Sequence, residues 1–354
     1  MRETLPTLKE IAKRLDVSAS TVSRALVDNP RIGLGTRLKV QKMAEELGYE
    51  RNTQAVNFKL KRTNIIGVIV PYVREEFFSD AICGIEEVAS QHNYTILFGQ
   101  SYDDVNNEMR LIEIVKKKRV DGLIISLSKS TSSTSHIDAL SRFNIPVVYF
   151  DRVPEAGPVN KVYCDVYSGM CQIVTKLVSN GITRIALING PGMLTASKDR
   201  LNGYVECMEN FKLKVDMRMV SETDFSVEST HGAMRSIMNV KVPPQAVISV
   251  NDYVHMDAVQ YARSHKIKVN NEVIFVSLSN LPITSYTIHP PLIALKQHPH
   301  KQGAMAMNML LQIFEDKLKS GGNLEKPRVQ VISPTLVQCN DSKAENSTVF
   351  KHAS

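Results

Sequence analysis

The chain has no tryptophan, no Cys-x-x-Cys pair and no apolar run near the length needed to cross a bilayer. The missing tryptophan decides nothing. The five cysteines, Cys83, Cys164, Cys171, Cys207 and Cys339, are odd in number and widely spread. That favours reduced thiols in a cytoplasm over a disulfide framework or a zinc site. The N-terminus is charged from Arg2 and lacks the apolar core of a signal peptide. Gly33-Leu-Gly35 offers two glycines with no strand before them, which is no dinucleotide loop. His289, His298 and His300 sit in a Pro-rich stretch without Glu or Cys at ligand spacing, so no metal is expected, and no cofactor. No nucleophile–base–orienter set stands above chance, which argues against an enzyme, and no internal repeat is evident.

Residues 7–29, TLKEIAKRLDVSASTVSRALVDN, carry the strongest signal. Thr7 with Glu10 has the spacing of a capping box, and Leu8, Ile11, Ala12 and Leu15 then repeat at helical spacing. Asp16 tolerates the turn geometry that follows, and Ser18 suits the N-cap of a second helix. Val22 and Leu26 face inward, leaving Ala19, Ser20, Thr21, Ser23 and Arg24 outside. Small polar groups plus one guanidinium fit close approach to a DNA major groove and contact with phosphate or guanine. Thr7, Ser18, Asn29 and Arg31 flank this face and join the DNA-contact set.

The charge map supports a nucleic-acid partner over a plain helical hairpin. Residues 1–64 hold thirteen Lys/Arg and seven Asp/Glu, a net +6, while the whole chain is +7. Positive charge confined to one small module is the electrostatic footprint of nucleic-acid binding.

A chain of 354 residues is long for one core, so a small domain plus a larger bilobed one is expected. A third helix is predicted from about Thr36 to Leu47, with Leu38, Met43 and Leu47 covering the first two and Gly48 ending it. Residues 52–60, NTQAVNFKL, are a short helix-compatible stretch, marginal in isolation. From Ile65 the pattern changes. Strand-length apolar runs at 65–70, 94–99, 120–126, 145–150, 161–164, 184–190, 246–250 and 273–278 alternate with amphipathic helical stretches. Such runs mean parallel sheets covered by helices on both faces. Lobe changes are expected near Asp165 and Pro290-Pro291, and Lys326–Gln338 as a late strand pair. Leu127–Ser135 reads as a solvated low-complexity loop.

These residues together resemble the lactose-repressor/galactose-repressor (LacI/GalR) family of bacterial transcription regulators. VSASTVSRAL at 17–26 and EELGYERN at 45–52 follow the family's N-terminal pattern. IIGVIVP (65–71), VDGLI (120–124), IPVVYFDR (145–152), RIALINGP (184–191), RLNGY (200–204) and PPLIALKQ (290–297) follow in order. The resemblance implies a small all-α helix-turn-helix DNA-binding domain plus an α/β two-lobed periplasmic-binding-protein-like (type I) effector domain with parallel sheets. The expected boundaries are 1–51 for the DNA-binding domain, 52–64 for hinge helix and linker, 65–338 for the body and 340–354 for a flexible tail. Lobe 1 is expected at about 65–163 plus 292–322, and lobe 2 at about 164–290 plus 325–338. Four residues depart from the pattern: Asp16 replaces the turn Gly, Arg51 replaces Pro before Asn52, Ser279-Asn280 replaces Asp-Asp, and Phe58 replaces the hinge Leu. The resemblance implies that Asn52, Ala55, Phe58 and Lys59 meet DNA, with Phe58 as an apolar minor-groove wedge.

Ligands of open α/β sheets bind beyond the carboxyl ends of the strands. That rule nominates Tyr72, Phe77, Ser101, Ser126, Asp151, Arg152, Asn251, Asp252, Ser279 and Gln297, and the resemblance adds Arg200 and Phe225. Planar hydrogen-bonding groups and aromatic faces suit a sugar or sugar derivative. The expected function is a cytoplasmic, homodimeric repressor whose affinity for double-stranded operator DNA is set by a small molecule between the lobes, without membrane contact. The alternative is a solute-binding protein with the same body and no regulatory DNA binding; the basic N-terminal module disfavours it.

Overall fold

The computed structural model describes residues 6–49, 62–320 and 326–338. The expectations for the hinge 52–60 (Asn52, Ala55, Phe58, Lys59), for Arg51, for Cys339 and for the tail 340–354 lie outside the described residues. The chain divides into two units, 1–63 and 64–354.

In the first unit, α1 (Leu8–Leu15), α2 (Ala19–Ala25) and α3 (Leu34–Glu46) close around Ile11, Ala12, Val22, Ala25, Val40 and Ala44. Thr7 Oγ1 accepts from Glu10 N at 3.3 Å, as a capping residue should. The reciprocal half of the capping box is not made, because the Glu10 carboxylate accepts from Arg14 Nη2 at 3.0 Å, one helical turn on. Asp16 ends α1 in the left-handed region (φ 51°, ψ 48°). Asp bears that conformation because its short polar side chain bonds locally. α3 starts two residues earlier than expected and turns a different face inward. Leu38 is 57% exposed, and Val40 and Ala44, four apart, fill the core with Met43 and Leu47 beside them. Gly48 at φ 62° closes the helix.

The body holds two six-stranded sheets. The first contains β1 (Ile65–Val70), β2 (Thr95–Gln100), β3 (Gly122–Ile125), β4 (Val147–Phe150) and β5 (Asn160–Cys164), joined by the late strand β11 (Val329–Ile332) in the order β11-β5-β4-β3-β1-β2, all parallel. Between these strands run α4 (Glu76–Gln91), α5 (Val105–Lys118) and the single turn α6 (Ser135–Asp138). The second sheet contains β6 (Ile185–Asn189), β7 (Val220–Glu222), β8 (Ala246–Ser249), β9 (Ile274–Ser277), β10 (Ile293–Lys296) and β12 (Thr335–Gln338), in the order β12-β10-β9-β8-β6-β7, with β12 antiparallel to β10. Its helices are α7 (Val166–Ser179), α8 (Thr195–Asn210), α9 (Val227–Met238) and α10 (Asp252–Ser264). The long α11 (Pro299–Lys319) returns to the first sheet, where Ala306, Met307, Met309, Leu310 and Ile313 share a core with Phe78, Ala81, Ile85 and Ala89 of α4. α4 and α11 approach at glycines: a Cβ on Gly303 would fall 2.0 Å from Ala81 O, and one on Gly84 2.1 Å from His300 O.

The chain crosses between lobes three times, and two of the expected lobe boundaries move. The first crossing follows Cys164, next to Asp165. The second falls after Lys296, not at Pro290-Pro291, so β10 belongs to the second lobe. The third lies between Ile332 and Thr335, so the two late strands are not a pair; β11 joins the first sheet and β12 the second. A strand of four residues next to a proline carries no signal for which of two similar sheet edges it will extend. Leu127–Ser135 also differs from expectation. Leu127 and Ser128 are buried, and the fully buried Glu108 carboxylate accepts from Ser128 N (2.7 Å), Thr131 Oγ1 (2.9 Å) and His136 Nε2 (2.9 Å). Hydrogen bonding holds the Glu108 carboxyl below its usual range, against the opposing effect of burial.

Candidate functional site

In the N-terminal unit the Ser18 hydroxyl organises the start of α2. It accepts from Thr21 N at 3.1 Å and lies 2.9 Å from Thr21 Oγ1 and 2.7 Å from Ser20 Oγ. Ala19, Ser20 and Arg24 are exposed and Thr21 and Ser23 half-buried, while Val22 and Ala25 anchor the opposite face. Arg24 has no ion pair among the described residues, so its guanidinium is available. Asn29 Oδ1 accepts from Arg31 N at 3.0 Å and shapes the following turn. The result is a short, side-chain-capped helix with a polar face of small groups beside Arg24.

In the body, the loops after the strands of both sheets converge on a cavity of about 70 Å³. Phe77, Asp151, Arg152, Arg200, Phe225, Asn251, Ser279 and Gln297 line it, eight of the twelve residues nominated from the sequence. Two others stand apart. Tyr72 turns to Tyr102, giving a hydrogen bond to its carbonyl at 3.0 Å, with the Arg74 guanidinium 4.7 Å from its ring. Ser126 is buried behind Asp151, with Ser126 Oγ 3.5 Å from Asp151 Oδ2. Ser101 and Asp252 are also buried. Asp252 accepts from Ser277 Oγ (2.6 Å) and Leu281 N (2.7 Å), and so holds the 277–281 turn rather than a ligand.

Arg200, on α8, is only 8% exposed, and its Nε has no hydrogen-bond partner. Burial pulls its pKa down to about 10, which leaves it charged at neutral pH, and Asp151 opposes the shift. Arg152 is ion-paired with buried Asp103 and lies 5.6 Å from the rings of both Phe78 and Phe225. Phe225 reaches the cavity from a left-handed backbone (φ 73°), costly for a bulky residue and characteristic of sites where geometry is held for a purpose. Asp151 is likewise left-handed (φ 56°). Asn251 caps α10 by accepting from Val254 N at 2.9 Å, leaving its NH2 for the cavity. Gln297 is pinned from both ends: its Nε2 donates to Leu278 O, and its carbonyl accepts from Gln302 Nε2 at 3.0 Å.

Sequence reasoning missed Glu75 and Tyr253, which also line the cavity. Glu75 follows the carboxyl end of β1 and Tyr253 that of β8, so the rule that found Phe77 and Asn251 reaches them one or two residues away. Tyr253 also ties the lobes together: its hydroxyl donates to Arg74 O (3.3 Å) and accepts from Glu76 N (3.2 Å). Lys129 Nζ to Asp224 O (2.7 Å), Thr195 Oγ1 to Val153 O (3.2 Å) and the Lys198–Glu155 ion pair add further bonds across the cleft. Larger cavities of about 670 and 300 Å³ adjoin the central one through shared wall residues such as Gln297.

Comparison with known proteins bears on both sites. Residues 7–52 match the profile described as bacterial regulatory proteins, lacI family. Residues 63–339 match that of periplasmic binding proteins and sugar binding domain of LacI family. The chain is 29% identical to the HTH-type transcriptional repressor CytR of Escherichia coli (strain K12), over 91% of this chain and 94% of that protein. It is 27% identical to the HTH-type transcriptional repressor PurR of Vibrio campbellii, over 97% and 100%. Among solved structures, the lac repressor dimer bound to operator and the anti-inducer ONPF matches with a TM-score of 0.80 at 23% identity, over 95% of this chain and 98% of that one. At these identities the structural likeness speaks for the fold.

Proposed function

Because this chain belongs to the LacI family of bacterial regulatory proteins, we propose that its two units form one switch, in which a sugar or sugar derivative between the lobes sets the affinity of the α2 face for operator DNA. The chain is a DNA-binding transcription regulator rather than an enzyme. Our reading makes it a cytoplasmic repressor acting as a homodimer, with Ala19, Ser20, Thr21, Ser23 and Arg24 at base edges and phosphates, and Arg200, Asp151, Asn251 and Phe225 on the effector. None of the described helices is long and apolar enough to cross a membrane. The observation that carries the reading is the presence, in one chain, of a capped basic helix pair and a cavity in which a buried guanidinium keeps an unused donor. A solute-binding role would leave the first of these without a task.

Coupling between the sites is reciprocal: an effector that weakens DNA binding is itself bound more weakly on DNA, by the same factor. The test is selection of duplexes from a random pool by the full-length chain, followed by anisotropy titration with salt and a sugar panel. The expected outcome is a palindrome with half-site centres about one helical turn apart, affinity that falls steeply with salt, and a sugar that shifts it. Binding without sequence preference, or a bound sugar that leaves DNA affinity unchanged, overturns the proposal.

A further inference from the structure

We propose that the interlobe cavity selects an uncharged polyhydroxylated ligand that donates a hydrogen bond to Glu75, and rejects phosphorylated or carboxylated versions of the same molecule. The inference rests on the reading of this cavity as the effector site. It comes from a census of charge and of hydrogen-bonding capacity.

The cations lining the central cavity are Arg152 and Arg200. Each already answers a carboxylate: Arg152 is ion-paired with Asp103, and Arg200 and Asp151 act on one another across the wall. Glu75 is a third carboxylate. It stands at the N-cap of α4 without making a side-chain cap bond, and it has no ion pair among the described residues. Two cations and two carboxylates thus line the wall, with Asp103 behind Arg152 as a third carboxylate and Lys129 held on Asp224 O across the cleft. The adjoining cavities balance their cations with carboxylates. Lys198 is held by Glu155, Lys161 acts on Asp199 in the same cavity, and Lys296 shares its cavity with Glu76 and Asp80.

Burial raises the pKa of both Glu75 and Asp151 above their ordinary values, the mark of surroundings that screen charge poorly. An incoming anion would approach Glu75 and Asp151 at short range, with both arginines already engaged by carboxylates. The hydrogen-bonding inventory points the same way. Arg200 Nε needs an acceptor, whereas an ionised Glu75 can use only a donor. A hydroxyl is both. A phosphate or carboxylate is an acceptor only, and would satisfy Arg200 while leaving Glu75 facing like charge.

The test uses the full-length chain in thermal-shift and calorimetric titrations with matched pairs: D-ribose and ribose 5-phosphate, D-glucose with glucose 6-phosphate and glucuronate, adenosine and its 5′-monophosphate. The expected result is that at least one uncharged parent raises Tm and binds about tenfold or more tightly than its anionic partner. Glu75→Gln should narrow that ratio, because the amide removes the like charge. An anionic member that binds as well as its parent overturns the inference while the effector-site reading stands. An unchanged ratio in Glu75→Gln removes Glu75 from the discrimination. A panel in which nothing binds overturns the reading of the cavity as a polyol site, and the inference with it.

Discussion

In the N-terminal unit, the groups proposed to meet DNA fall within the seven residues from Ser18 to Arg24, on one face of a single helix that starts at a hydroxyl cap. In the body, the cavity wall draws on residues from Glu75 to Gln297, carried by loops of two sheets and by three crossings between them. The first site is built by helix periodicity, which needs only neighbours in the chain. The second exists only when both lobes have folded and met. The two should therefore fail differently.

The sharpest way to break this contrast is Arg200→Ala. The substitution removes the buried guanidinium whose Nε has no partner in the protein, and truncating one side of a buried, charged hydrogen bond to a ligand costs about 2–5 kcal/mol of binding. Effector affinity measured by calorimetry should fall by a corresponding factor; an unchanged affinity would place the ligand elsewhere.

Acid should separate the two units next. The nine histidines of the chain all lie beyond residue 64. His255 is buried, donates through Nε2 to His289 O at 3.1 Å and leaves Nδ1 without a partner, so burial lowers its pKa to about 4. Its ordinary value is 6.5, so between these values the unfolded chain takes up a proton that the folded one refuses. The stability that neutral His255 contributes should therefore decline as pH falls from about 6.5 towards 4, by roughly 3 kcal/mol, joined by the lowered carboxyl of Glu108 and opposed by the raised carboxyls of Glu75 and Asp151. Denaturant unfolding at several pH values checks it, with His255→Gln expected to flatten the slope; a slope equal to wild type would assign the loss to other groups.

The smallest effects belong to the local site. Arg24→Ala should cost about 1–3 kcal/mol of operator affinity at matched salt. Ser18→Ala should cost about 0.5–2 kcal/mol of stability in the N-terminal unit through the lost cap. If Ser18→Ala left that unit's melting unchanged while weakening operator binding, the hydroxyl would be a DNA contact and not a scaffold, and the contrast would need redrawing.

Most of the DNA-facing helix pair was legible in sequence because caps and apolar repeats act over three or four residues. Thr7, Asp16, Ser18 and Gly48 all take the roles their chemistry suggests. The exceptions are informative. Glu10 chose Arg14 over the backbone, and Leu38 stayed in solvent while Val40 went in, because which side of an amphipathic helix turns inward depends on what it meets. In the body, the rule that ligands gather beyond strand ends found Arg152, Asn251 and Gln297, since it needs only the strands' order and direction. It could not exclude Tyr72, which lies beyond the same strand as Phe77 but turns to Tyr102.

The amino-acid sequence by itself determined the strands other than β7 and β10, the three N-terminal helices, most of their caps and the basic N-terminal face, because these follow from periodicity and from short-range hydrogen bonding. The tertiary structure alone decided that β10 and β11 extend opposite sheets from those expected, that Glu75 and Tyr253 join the cavity, and that Arg200 is buried with a donor to spare. Each depends on contacts between residues tens to hundreds of positions apart. Burial, charge balance and an unmet hydrogen bond are properties of that assembled environment, and no local stretch of the chain encodes them.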